Sequence, residues 1–172
     1  MELNLSPMQV LIMSGLPGSG KSRLSRMLLE WYGKASDLAA AWYRGDPGVI
    51  LSTDNYFVGP DGQYRYIADE VGRAHLQCQA EFAHELDRQR PLIIVDNTNL
   101  TSKEVDTYYT PARNKGYEVK VIRVLCDPAD AFFRQRHNVP DTEFEKMLVK
   151  WNRRDVKPEW DVEEYSSTSK VV

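Results

Sequence analysis

This chain is short of cysteine, of long apolar runs and of excess positive charge, and each shortage removes a class of function. Its two cysteines, Cys78 and Cys126, lie far apart and lack the close spacing of metal ligands. Reduced, partly buried thiols are therefore expected, not a disulfide framework or a zinc site. No apolar stretch approaches the ~20 residues that a membrane-spanning helix needs. The opening MELNLSP lacks the basic and apolar regions of a secretory signal. A cytoplasmic location without a membrane partner is the expectation. Lysine and arginine number 22 against 25 aspartates and glutamates, a net charge of −3. That argues against a broad nucleic-acid-binding face and leaves room for a local basic channel. Repeats and low-complexity segments are absent, and only the end, YSSTSKVV, reads as disordered. At 172 residues with 42% hydrophobic side chains, the chain is long enough for one domain with its own core, expected over 1–165 with 166–172 as a tail.

What is present alternates. Short apolar runs at VLIM, GVILS, PLIIV and EVKVIRVL are separated by helical patterns. This is the signature of an α/β domain with a mostly parallel sheet covered on both faces. Leu24, Met27, Leu28 and Trp31 recur at helical spacing after the first run, and Ile67, Val71, Ala74, Cys78, Phe82 and Leu86 recur after the second. Thr101 with Glu104 has the form of a capping box, and Pro140-Asp141 opens an amphipathic stretch through Phe144, Leu148 and Trp151.

Directly after the first run comes SGLPGSGKSRL. From Gly15 it reads G-x-x-x-x-G-K-S, a phosphate-binding P-loop. Glycines let backbone N–H groups turn inward around phosphate oxygens, and a helix starting near Lys21 adds the positive end of its dipole. Gly15, Pro17, Gly18, Ser19, Gly20, Lys21, Ser22 and Arg23 are the expected nucleotide-binding set. Lys21 can reach the β- and γ-phosphates, and the Ser22 hydroxyl can ligate the Mg²⁺ that bridges them. ATP, or another nucleoside triphosphate, and Mg²⁺ are the expected cofactors.

In open α/β sheets the chemistry gathers at the carboxyl ends of the strands. The second run ends in LSTDNYF, which makes Asp54 a general-base candidate facing the γ-phosphate, or else a capping or turn residue. The third ends in IIVDNTNL, with Asp96 where a P-loop protein carries its Mg²⁺ carboxylate. Asn97 and Asn99 follow it as acceptor contacts or as turn formers. After the fourth run, DPADAFFRQRHNVP reads as a lid whose Arg134 or Arg136 closes over the phosphates. His137, like His75 and His84, reads as a surface or hydrogen-bonded histidine. In NYFVGPDGQYRYI, Tyr56, Phe57, Tyr64 and Tyr66 flank a Gly59-Pro60-Asp61-Gly62 turn. These aromatics either stack bases, with Arg65 available for a phosphate, or pin a flap to the core.

The order of GLPGSGKS, TDNYF, IIVDNTNL, GYEV and RQRHNVP resembles the kinase domain of the polynucleotide 5′-kinase family, from Val10 to the neighbourhood of Trp151. The resemblance implies a three-layer P-loop kinase fold and transfer of the ATP γ-phosphate to the 5′-hydroxyl of RNA or DNA. It gives Lys21 and Ser22 the phosphate and metal roles, Asp54 the role of base, and Arg134 or Arg136 the lid contact. Some members carry an arginine three residues after the base, where this chain has Phe57. No phosphatase or ligase pattern is present, so a kinase module alone is implied. A small-molecule kinase and a nucleotide-dependent switch are the competing readings.

Overall fold

A computed structural model describes residues 8–35 and 42–167 of the chain. Five strands form one sheet, β1 (Gln9–Ser14), β2 (Gly48–Leu51), β3 (Leu92–Val95), β4 (Glu118–Leu125) and β5 (Asp161–Ser166). Every pairing is parallel and the order is β2-β3-β1-β4-β5. Parallel neighbours need crossovers. These are supplied by α1 (Lys21–Ala35), α2 (Val71–Asp87), α3 (Ser102–Asn114) and the pair α4 (Pro128–Arg134) and α5 (Asp141–Asn152).

β1 lies at the centre with all six residues buried. Its alternate side chains feed the two sides of the core. Val10 and Ile12 pack with α2 and α3 through Phe82, Val105 and Tyr108. Leu11 and Met13 pack with Leu24, Leu28 and Tyr32 of α1. The result is the doubly covered parallel sheet expected from the alternating runs, in the three-layer P-loop kinase fold that the resemblance implies. A third cluster joins Leu16 and Leu100 to Ala131, Phe144 and Trp151, seating α4 and α5 above the sheet's carboxyl edge.

Several local expectations hold. Thr101 Oγ1 accepts from Glu104 N at 3.3 Å and Glu104 Oε2 accepts from Thr101 N at 3.2 Å, a complete capping box. α5 starts at Asp141 behind Pro140. Others are corrected. The buried stripe of α1 is Leu24, Leu28 and Tyr32, while Met27 and Trp31 are 51% and 54% exposed. One i, i+4, i+8 row suffices to cover the sheet here, and the i+3 positions fall at its rim. Ile67 precedes α2 and is exposed.

The fifth strand did not register as an apolar run. Lys120 pairs with Asp161 at 3.2 Å and Glu163 at 2.6 Å, and Arg123 with Glu164 at 3.1 Å. An edge strand bound through cross-strand ion pairs reads as polar sequence. Tyr165 and Ser166, expected in a disordered tail, close this strand, while 168–172 lie outside the described residues. Both cysteines are free, Cys78 buried and Cys126 half-buried. No helix among the described residues is long and apolar enough to cross a membrane.

Candidate active site

The loops leaving β1, β2, β3 and β4 converge on one cleft of about 770 Å³. Its floor is the P-loop. Gly18 and Gly20 adopt φ of +80° and +102°, values that side chains rarely tolerate. A Cβ on Gly18 would lie 1.9 Å from the Ala131 carbonyl, so the lid helix rests on the loop itself. The loop is anchored behind by the segment after β3: Gly15 N donates to Thr98 O at 2.9 Å, and Ser14 Oγ to Asn99 O at 2.8 Å.

Lys21 opens α1 and is buried. Its Nζ donates to the carbonyls of Gly15 and Leu16 at 3.0 and 2.8 Å. Burial pulls its pKa down from 10.5 to about 8, with Asp96 and Asp54 opposing the fall. An ammonium held against its own loop's carbonyls is placed to move onto phosphate oxygens.

Asp96 directly follows β3 and is also buried, and burial raises its pKa while the Ser22 hydroxyl bonds to the carboxylate and lowers it. Oxygen Oδ1 is enclosed without a partner. A buried orphan carboxylate oxygen beside a hydroxyl is the donor set of a hard divalent cation that takes its remaining ligands from water and phosphates. No cluster of three His, Cys, Asp or Glu side chains capable of holding a metal alone occurs among the described residues. The pair Ser22 and Asp96 therefore fits Mg²⁺ as a companion of a nucleotide.

The opposite wall is made of side chains. Asp54 sits in a short 3-10 helix, Thr53–Phe57, that follows β2 directly. Its N–H is capped by Ser52 Oγ at 3.2 Å. Thr53 N and Oγ1 both donate to Asn97 Oδ1, at 2.9 and 3.0 Å, which locks the ends of β2 and β3 together. Tyr64 OH donates to Asp54 Oδ1 at 3.3 Å, and His137 Nε2 stands 3.4 Å from Oδ2. Burial and the Asp54 charge hold the Tyr64 phenol well above its ordinary pKa, so it remains a donor. Asp54 is close enough for its charge to act on both Lys21 and Asp96.

Among the expected site residues, Pro17, Gly18, Gly20, Lys21, Ser22, Arg23, Asp54, Phe57, Tyr64, Asp96, Arg134 and Arg136 line this cleft. Gly15 and Ser19 lie beneath it as scaffold, and Ser19 is fully buried. Arg134 is drawn toward its own helix and strand, with Nε donating to Asp130 O at 3.2 Å and Nη2 to Cys126 Sγ at 2.7 Å. Arg136 is exposed on the cleft's rim.

Four expected acceptor contacts lie elsewhere or are otherwise engaged. Arg65 forms an ion pair with Asp61 outside the cleft. Tyr56 packs edge-on against Phe57 and does not line the cleft. Asn99, at φ +42°, donates to Met13 O at 2.7 Å and braces β1. Asn97 reaches the cleft, but its amide serves Thr53, Tyr108 and Cys78. Phe57 is itself buried, in contact with Tyr56, Tyr64 and Tyr66, so the aromatic group pins the flap while Tyr64 and Tyr66 still face the cleft.

Sequence reasoning missed His137, His75 and Arg26, all of which line the cleft. Arg26 lies four residues after Ser22 on α1, and that helical spacing could have found it. Lys21, Arg23, Arg26, Arg134 and Arg136 face only Asp54, Asp96 and Glu143 there. In a chain of net charge −3 the cleft thus carries a local excess of cations.

The family model described as "AAA domain" matches residues 10–149. The chain is 36% identical over 148 residues to NEDD4-binding protein 2 of Homo sapiens, covering 84% of this chain and 8% of that protein. Its fold is that of a chain in the Pnkp1/Rnl/Hen1 RNA repair complex, with a TM-score of 0.62 at 16% identity, over 89% of this chain and 47% of that one. A gluconokinase from Sinorhizobium meliloti shares it with a TM-score of 0.55 at 15% identity, over 93% and 82%. The chain spans only 8% to 11% of the length of the first curated relatives it matches.

Proposed function

This chain belongs to the AAA domain family, as a P-loop kinase domain, and from that premise we propose that it transfers the γ-phosphate of ATP to the 5′-hydroxyl of an RNA or DNA end. The observation that carries the proposal is the facing of two walls across one cleft, a P-loop lysine on one side and a strand-end carboxylate, Asp54, on the other. A switch that only binds nucleotide needs no base there.

In this reaction the acceptor hydroxyl gives its proton to Asp54 as its oxygen bonds to the γ-phosphorus, and the bond to the leaving ADP oxygen breaks. Lys21 leaves its loop carbonyls for the β- and γ-phosphate oxygens. Arg136, with Arg134 behind it, offsets charge on the transferring group. Ser22 and Asp96 would hold Mg²⁺, which would supply charge neutralisation to the phosphates. Tyr64 holds one oxygen of Asp54 through its hydroxyl.

A polynucleotide end is favoured by the local excess of cations, by the Tyr64 and Tyr66 rings, and by likeness in fold to a component of an RNA repair complex. A small hydroxyl-bearing metabolite is the second reading, favoured by likeness to a gluconokinase and by the acidic remainder of the surface. The two free cysteines accord with a reducing, cytoplasmic setting. γ-Labelled ATP offered to 5′-hydroxyl oligonucleotides, to the same oligonucleotides already 5′-phosphorylated, and to a metabolite panel tests the proposal. Label on the 5′-hydroxyl strands alone is expected. Label on a metabolite and none on the strands would replace the acceptor.

A further inference from the structure

The segment joining α4 to α5 is a hook with two ends. Gln135 closes it: Nε2 donates to Val139 O at 2.9 Å and Oε1 accepts from Val139 N at 2.8 Å. Residues 136–138 therefore project as a side-chain-clamped loop, turned by Asn138 at φ +49°. The base of the hook sits on the P-loop, because the last turn of α4 leaves no room for even a Cβ on Gly18 between Ala131 O and Gln135 N. Its tip reaches the other wall. His137 Nε2 is 3.4 Å from Asp54 Oδ2, and its ring lies 4.4 Å from that of Tyr64, whose hydroxyl holds Oδ1.

The Asp54 side chain is 47% exposed and that of His137 42%. A half-exposed carboxylate held by one weak bond samples several rotamers. Two partners, one on each oxygen, restrict it, and each oxygen retains a lone pair for an acceptor hydroxyl. We propose that His137 is a positioning residue: carried on the lid, it fixes Asp54 in the orientation that meets the acceptor, so that seating of α4 on the P-loop and readiness of the base are one event. This rests on the kinase reading above. It assigns a role to a residue for which the P-loop pattern has no place.

The test is a cycle of His137→Phe, His137→Gln, Asp54→Asn and the double variant His137→Phe/Asp54→Asn, at saturating ATP with a 5′-hydroxyl oligonucleotide. Phenylalanine keeps a ring against Tyr64 and removes the N–H, whereas glutamine restores a donor. His137→Phe is expected to lower kcat about 10-fold, the lower end of what loss of an orienting partner costs, with the KM for ATP unchanged. His137→Gln should recover to within about 3-fold. In the Asp54→Asn background, His137→Phe should cost less than about 2-fold, since residues acting as a unit are non-additive. Unchanged kcat in His137→Phe, the full loss repeated in the Asp54→Asn background, or a matching loss of ATP affinity would each overturn the proposal. If the wild type labels no oligonucleotide, only the acceptor assignment has failed, and the same cycle is read on the phosphate acceptor found, water included. A wild type that turns over no ATP with any acceptor overturns both readings.

Discussion

The two walls of the cleft are built by opposite means. The nucleotide wall is main chain and burial: left-handed glycines, a lysine and a carboxylate withdrawn from solvent, and two oxygens, Ser19 Oγ and Asp96 Oδ1, enclosed without partners. The acceptor wall is half-exposed side chains that satisfy one another, Asp54 with Tyr64 and His137. A wall with unsatisfied buried groups is preorganised for one charged ligand and is strengthened by its low dielectric. A wall of mutually satisfied, accessible groups can exchange partners, and there the identity of the acceptor is decided.

If that division is right, damage to the first wall should show in ATP binding as well as in turnover, and damage to the second in turnover alone. Lys21→Ala should lower transfer by about 10³-fold or more, with the fold retained, as judged by circular dichroism alongside the kinetics. Asp54→Asn keeps size and hydrogen bonding but holds no proton at neutral pH. Its kcat should fall roughly 10²–10⁴-fold, whereas a merely capping aspartate would tolerate asparagine. Gly18→Ala should lose about 2–4 kcal/mol of stability in chemical denaturation, because both its φ and the Ala131 carbonyl forbid a side chain.

Protonation of Lys21 gives a subtler probe. Its folded pKa of about 8 lies below the 10.5 of the unfolded chain. Between those values the unfolded state binds the extra proton, so the nucleotide-free protein should gain stability as pH rises from 8 towards 10. Ionisation of tyrosines held protonated in the fold, Tyr64 and Tyr117 among them, opposes the gain at higher pH. In Lys21→Met the rising limb should vanish from the melting profile. ATP should restore the charge, so binding at pH 9 is expected to take up ~0.9 proton and at pH 7 only ~0.1, read by calorimetry in two buffers of different ionisation enthalpy. Weakest of all should be the salt effect. Oligonucleotide phosphorylation should lose affinity with the slope of only a few phosphate contacts, because only Lys21, Arg23, Arg26, Arg134 and Arg136 supply cations to the cleft.

The same division separates what the amino-acid sequence makes plain from what only the fold brings together. The P-loop, Asp54 and Asp96 were legible because each is local: a glycine pattern or a polar residue at the end of an apolar run. β1 and β3 were legible because burial along their whole length makes them apolar, and β2 and β4 because apolar residues still outnumber polar ones in them. β5 was not, since its partners Lys120 and Arg123 lie on another strand. Nor was the place of His137, which depends on the Gln135–Val139 clamp and on the meeting of two loops separated by about half of the chain. Arg65 misled for the same reason in reverse, its charge being spent on Asp61 four residues earlier.

The separation of the two walls is tested most directly by ATP affinity alone, measured calorimetrically on Lys21→Ala and Asp54→Asn side by side. Lys21→Ala should weaken ATP by about 10–100-fold, the worth of a charged hydrogen bond, while Asp54→Asn should leave the Kd within about 2-fold of the wild type. An Asp54→Asn protein that loses ATP as Lys21→Ala does would show that Asp54 serves the nucleotide and that the two walls are one.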